Sequence, residues 1–230
     1  MINTLDDYIW RSLPEQSSFT TNPNLGIKVN SAGKFLPFRG NTVIFRLAED
    51  TKQALRRLQT SLYQSAPDML AEKLDPDTFH MTLHDLVNGC PDDPTLDARM
   101  AEAEKQAQAV LSKCELAGPL RMKATWLFNM VNTSIVLGLA PRDEDSWRML
   151  DQMYTAFETV TPLGYALSPH ITVAYFRPGT YDQEQAQHLR SALHKVDMDV
   201  VLSKDDLALQ YFSDMNSYID KVHLQPENDS

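Results

Sequence analysis

The sequence predicts a mixed fold of strands and helices in which one β-α-β unit occurs twice about a pseudo-twofold axis, with a central cleft between the copies. Three observations carry this reading. The order strand, helix, His-x-Thr strand, helix runs through the chain twice. Landmarks of the two passes keep a near-constant spacing: Leu47-Ala48 returns as Leu139-Ala140 and Leu58 as Leu150, both after 92 residues, and His80 returns as His170 after 90. Such spacing points to an internal duplication. Finally, both histidines lie in apolar runs, Phe79-His80-Met81-Thr82-Leu83 and Pro169-His170-Ile171-Thr172-Val173. In a strand, period-2 geometry turns histidine and threonine to one face and their apolar neighbours to the other.

The elements follow in order. Residues 1–25 are polar, with a short helix expected over Asn3 to Arg11 on Leu5, Ile9 and Trp10. Gly26 to Leu36 reads as a β-hairpin turning at Asn30-Ser31-Ala32-Gly33. Asn41 to Ala48 is rich in β-formers, and Asp50 or Thr51 is expected to cap a helix carrying Leu55, Leu58 and Leu62. Asp75-Pro76-Asp77 turns into the His80 strand, which ends near Asn88-Gly89. A polar helix from Asp93-Pro94 then runs to about Cys114. Strands are expected at Arg121 to Met130 and Thr133 to Ala140. The helix from Arg142 to Val160 carries an apolar stripe of Trp147, Leu150, Met153, Tyr154 and Phe157. The His170 strand, a helix over Tyr181 to Val196, and strands at Leu207 to Phe212 and Ser217 to Leu224 complete the chain. The expected organisation is one domain over 1–230: an extension (1–40), two repeats (41–118 and 119–224) and a tail (225–230).

Bulk properties narrow the function classes. With 43% hydrophobic and 23% charged residues the 230-residue chain is ordinary for a globular protein that buries a core. A formal net charge of -10 argues against duplex DNA as a partner, since backbone recognition needs a basic surface. No signal-peptide pattern and no membrane-spanning run are visible, and Cys90 and Cys114 form neither a disulfide framework nor a metal motif. A monomer in a reducing cytoplasm, without membrane association, is the expectation.

Two facing imidazoles suit acid–base work. Histidine titrates near pH 6.5, so one can act as a neutral base while the other acts as a charged acid. Threonine hydroxyls on the same face can donate to non-bridging phosphate oxygens. The i, i+4 pair His80 and His84 has the spacing of two metal ligands on a helix. On a strand those residues lie about 13 Å apart at ~3.3 Å per residue, too far to share one ion. Neither metal nor cofactor is therefore expected. His188 and His194 fall on a polar helix.

The two segments resemble the paired His-x-Thr/Ser motifs of the two-histidine phosphoesterase superfamily, which includes 2′-5′ RNA ligase-like proteins and cyclic nucleotide phosphodiesterases. The resemblance runs from about Asn41 to Phe212. It implies a bilobal α+β fold with antiparallel-rich sheets around a water-filled cleft. It also implies metal-independent hydrolysis of a 2′,3′-cyclic or related nucleotide or RNA-end phosphodiester, with His80, Thr82, His170 and Thr172 in the catalytic positions. The chain departs from the pattern after the first motif, where His84-Asp85 stands in place of a basic residue. Its leading hairpin is reminiscent of an uncharacterised bacterial branch. Candidate substrate-binding residues are Arg177, at the end of the His170 strand, the hairpin cations Lys28, Lys34 and Arg39, and His84, in phase with His80. Tyr175 is out of phase with His170 and belongs to the core unless a bulge intervenes. The alternative function is a non-catalytic nucleotide or RNA-end binding module.

Overall fold

A computed structural model describes residues 2, 18–114 and 116–223. The helix expected at Asn3 to Arg11 and the tail at 225–230 lie outside these residues. Among the described residues, ten strands and four α-helices follow in the order β1 (Phe19–Thr20), β2 (Arg39–Arg46), α1 (Glu49–Ser65), β3 (His80–Gly89), α2 (Leu96–Leu111), β4 (Leu120–Met130), β5 (Ser134–Pro141), α3 (Glu144–Phe157), β6 (His170–Tyr175), β7 (Thr180–Tyr181), α4 (Gln183–Ala192), β8 (Asp199–Leu202), β9 (Leu207–Asp214) and β10 (Ser217–His223). The fold is α+β. Eight strands form one sheet in the order β10-β9-β2-β3-β6-β5-β4-β8, and every neighbouring pair is antiparallel.

The helices pack on one face of this sheet. Leu55 and Leu62 of α1, and Leu150 and Phe157 of α3, join Met81, Leu83, Ile171 and Val173 in one buried core. Gln59 of α1 is buried too, and its amide donates to the carbonyls of Leu74 and Val173, so the polar group is satisfied where it is desolvated. Asp143 caps α3 by accepting from the Ser146 amide at 2.8 Å. The α1 start differs from expectation: the helix begins at Glu49, and Ala48 occupies the cap position without a side-chain bond. The acidic pair Glu49 and Asp50 complements the dipole there instead. Trp147, placed on the apolar stripe by periodicity, is exposed. The last helix is shorter than predicted because Tyr181 pairs with Phe19 in β7 and Asp182 closes a capping box with Gln185.

The duplication is visible in the topology. Units β2-α1-β3 and β5-α3-β6 are equivalent, and β3 meets β6 at the middle of the sheet through the pair Met81–Ile171. The outer strands are wired differently. β9 pairs with β2, so β9 and β10 extend the half formed by residues 39–89, although sequence position placed them in the 119–224 repeat. β8, which the sequence reading missed, closes the other edge against β4. Gly40 sits where β2 is squeezed between neighbours: a Cβ there would fall 2.4 Å from the Phe212 ring and 2.5 Å from the Val87 carbonyl oxygen.

The leading hairpin is short. Pro23–Ile27 is a 3-10 turn rather than a strand, and Val29–Phe35 is an isolated bridge. The Asn30 side chain accepts from the Ala32 and Lys34 amides, and Gly33 takes φ +79, which only glycine adopts freely.

Candidate active site

The central strands carry the same local irregularity twice. In β3 the pairing with β2 steps from Ile44–Thr82 to Val43–His84, so Leu83 is the extra residue of a bulge. In β6 the pairing with β5 steps from Val136–Thr172 to Ile135–Ala174, leaving Val173 extra. A bulge shifts the alternation by one residue. Beyond it the face of His80 and Thr82 is continued by Asp85, and that of His170 and Thr172 by Tyr175. Burial confirms the phase: half-buried His80, Thr82 and Asp85 alternate with buried Met81, Leu83 and His84, as His170, Thr172 and Tyr175 do with Ile171, Val173 and Ala174.

One cleft of about 260 Å³ is lined by His80, Thr82, Asp85, His170, Thr172 and Tyr175, together with Lys28, Thr78 and Tyr218. The Met81–Ile171 pairing fixes the register there. Extended by one residue each way, it sets His80 across from Thr172 and Thr82 across from His170.

The two histidine rings are held alike. His80 Nδ1 lies 2.7 Å from the Thr78 carbonyl oxygen and His170 Nδ1 lies 2.6 Å from that of Ser168, the residue two before in each case. A carbonyl only accepts, so Nδ1 carries the hydrogen and Nε2 is left for chemistry. Tyr218 packs edge-on against His80 with ring centres 5.0 Å apart. Burial lowers the proton affinity of both histidines, opposed by the carbonyl acceptors and by the Asp85 carboxylate; proximity to His170 lowers His80 further.

Of the residues the sequence nominated for substrate, the cleft receives one. Lys28 lines it, with Nζ 4.9 Å above the Phe38 ring, and burial lowers its pKa while Asp85 raises it. His84 is turned to the helix side by the bulge. It is 1% exposed, with Nδ1 2.6 Å from the Asp85 carbonyl oxygen and Nε2 3.0 Å from Glu158 Oε1, against Tyr154 and Phe157. Lys34 pairs with Glu72 at 2.8 Å and Arg39 with Asp97 at 2.6 Å, both away from the cleft. Arg177 runs along Gly33 at the hairpin turn rather than into the cleft. Sequence reasoning missed Asp85 and Tyr218, and it placed Tyr175 in the core unless a bulge intervened, which the Val173 bulge does. The signal for Asp85 was its position five residues after His80, matching Tyr175 after His170, but only the bulge gives that spacing meaning. Among the described residues no cluster of three metal-ligating side chains occurs, and no helix is long and apolar enough to cross a membrane.

Comparisons with known proteins find similarity in part of the sequence and in the fold. Residues 28–132, which contain the His80 motif, match the family model described as 2H-phosphodiest, a domain of unknown function (DUF1868). The fold is similar to the conserved protein of unknown function ATU0111 from Agrobacterium tumefaciens: 19% identity, 90% of this chain and 94% of that one, TM-score 0.63. It is also similar to TT0787 of Thermus thermophilus, with 14% identity, 81% and 95% coverage and a TM-score of 0.53. Escherichia coli LigT, solved in complex with 3′-AMP, aligns at 12% identity over 80% of this chain and 96% of its own, with a TM-score of 0.53. No curated protein matches the sequence.

Proposed function

We propose that this chain is a member of the two-histidine phosphoesterase superfamily and hydrolyses a 2′,3′-cyclic or related nucleotide or RNA-end phosphodiester without a metal ion. The observation that carries the reading is the pair of rings with Nδ1 anchored on an i−2 carbonyl and Nε2 left for one cleft, each across the sheet from a threonine.

In this mechanism the neutral Nε2 of one histidine takes a proton from water as the water oxygen bonds to phosphorus. The other histidine, protonated, gives its Nε2 proton to the departing ribose oxygen as the P–O bond breaks. One proton enters the pair and one leaves, so the products are a phosphomonoester and a free hydroxyl. Thr82 and Thr172 donate to the non-bridging oxygens, where charge builds in the transition state. Each positioned proton transfer contributes ~10²–10⁴-fold. Lowered histidine pKa values favour the base, and the anionic substrate supports the proton on the acid. Lys28 is the cleft cation suited to the phosphate. The superfamily fold shared with LigT, a protein solved with 3′-AMP bound, supports a nucleotide-sized occupant.

The test is turnover of 2′,3′-cyclic nucleotides, ADP-ribose 1″,2″-cyclic phosphate and short 2′-5′ oligonucleotides in EDTA. Hydrolysis of at least one, abolished in His80→Ala and His170→Ala, is expected. Full activity in either variant, or no turnover of any phosphodiester, overturns the reading. Calorimetric binding of a cyclic nucleotide that is recovered unchanged selects the binding module instead.

A further inference from the structure

We infer that Asp85 makes the cleft selective for charge, admitting a phosphodiester monoanion and disfavouring a phosphomonoester dianion. The inference rests on the proposed phosphodiesterase reading and names the ligand class that the site favours.

A carboxylate is an unexpected wall for an anion site. Asp85 nevertheless faces the cleft that holds His80, Thr82, His170 and Thr172, because the Leu83 bulge turns it there. It is held on β2, where Thr42 Oγ1 lies 3.1 Å from the His84 carbonyl oxygen and 3.4 Å from Asp85 Oδ1. Its twofold counterpart is Tyr175, a neutral phenol whose hydroxyl lies 3.2 Å from Met215 Sδ. The negative charge therefore belongs to one half and stands outside the duplicated acid–base set. The titratable groups that share the cleft with it are Lys28, His80, His170, Tyr175 and Tyr218. Lys28 is the cation among them at alkaline pH, and desolvation weakens its hold on its proton.

The reaction itself changes ligand charge. A cyclic diester enters with one negative charge, and the monoester product, whose second pKa is about 6, carries close to two at pH 8. Coulomb energy scales with the product of charges, so a fixed carboxylate opposes the product twice as strongly as the substrate. If removing that carboxylate tightens a monoanion by a factor f, it tightens a dianion by f squared. With f at about 3, as one unit charge gives near 6 Å in a water-like dielectric, the dianion gains about 10-fold. Asp85 thus discriminates substrate from product and speeds release.

Two probes that differ by one charge test this: 3′-AMP and its 3′-methyl ester, measured by calorimetry at pH 8 against wild type, Asp85→Asn and Asp85→Glu. Asparagine keeps the shape, and glutamate keeps the charge. The expected result is that Asp85→Asn tightens 3′-AMP by about the square of its effect on the methyl ester, while Asp85→Glu keeps the wild-type ratio. Equal factors for the two probes, weaker binding of both, or no binding of either to any of the three proteins overturns the inference. Turnover of 2′,3′-cyclic AMP by the wild type is scored separately. Its absence sinks the phosphodiesterase reading for that substrate and leaves the charge test to be judged on binding alone.

Discussion

The segments His80–Asp85 and His170–Tyr175 are two solutions to one geometric problem, and their likeness is closer than their sequences. Both alternate half-buried and buried residues in the same order, both place a bulge after the threonine, and both pin the ring to the carbonyl two residues earlier. They differ where the bulge ends: Asp85 against Tyr175 in the cleft, and His84 against Ala174 behind it. The outer strands differ as well, since β9 flanks β2 but β4 flanks β5. The placement of the histidine ring and its threonine is thus held twice, while the side chains around them differ from one half to the other.

The largest effects test the equivalence. His80→Ala and His170→Ala should each lower kcat/KM by ~10²–10⁴-fold at unchanged thermal stability. The double variant should lose little more than either single one, because the base and the acid serve one displacement and act as a unit. Thr82→Ala and Thr172→Ala should fall at the lower end, about 10²-fold each in kcat. A tenfold gap between the two members of either pair would break the symmetry and show which half holds the leaving group.

His84 sharpens the contrast between the faces of β3. It stands four residues from His80 but is buried between the Asp85 carbonyl and the Glu158 carboxylate. His84→Ala removes both bonds and a buried ring, and should cost about 2–3 kcal/mol of stability while kcat per folded molecule holds. Urea midpoints beside activity would separate it from His80, whose substitution should do the reverse. A fall in kcat without loss of stability would return His84 to the cleft.

A smaller effect lies in the pH profile. Burial lowers both histidine pKa values and Asp85 raises them. A group with a lowered pKa loses its proton at lower pH, so the bell-shaped kcat/KM curve should centre below the ordinary histidine value. Removing Asp85 takes away the raising influence, so in Asp85→Asn both limbs should move further toward acid. Movement toward alkali in that variant would mean that Asp85 does not act on the pair through charge.

Much of this is legible in the sequence. Period-2 spacing set His80 with Thr82 and His170 with Thr172, and the 90-residue offset paired the strands. What escaped was phase. Strict alternation places His84 with His80 and Tyr175 in the core, and the bulge that follows the threonine in each strand reverses both assignments. Nothing local in Leu83-His84 or Val173-Ala174 announces an extra residue, because a bulge is a property of two strands pairing with unequal spacing. The outer edge escaped for a related reason: β9 returns to β2 across more than a hundred residues, whereas sequence proximity assigns it to the later half. Surface cations were misplaced because local sequence does not show which carboxylate a long side chain will meet.

The smallest effects concern those cations, and they separate the cleft wall from the outer surface of the same extension. Lys28 faces the histidine pair, whereas exposed Lys34 and half-buried Arg39 lie outside the cleft and pair with Glu72 and Asp97. An exposed ion pair contributes at most about 1 kcal/mol, and a charge beyond roughly 10 Å is screened at 0.1 M salt. Lys34→Ala and Arg39→Ala should therefore leave KM within about twofold and shift stability by less than about 1 kcal/mol. Lys28→Ala should raise KM about tenfold, the effect of one partly desolvated charge near a phosphate, with kcat less affected. Steady-state kinetics of the three variants on one substrate, at low and high salt, makes the comparison. If Lys34 or Arg39 raises KM as much as Lys28 does, the substrate reaches beyond the cleft and over the hairpin, and the extension forms part of its binding surface.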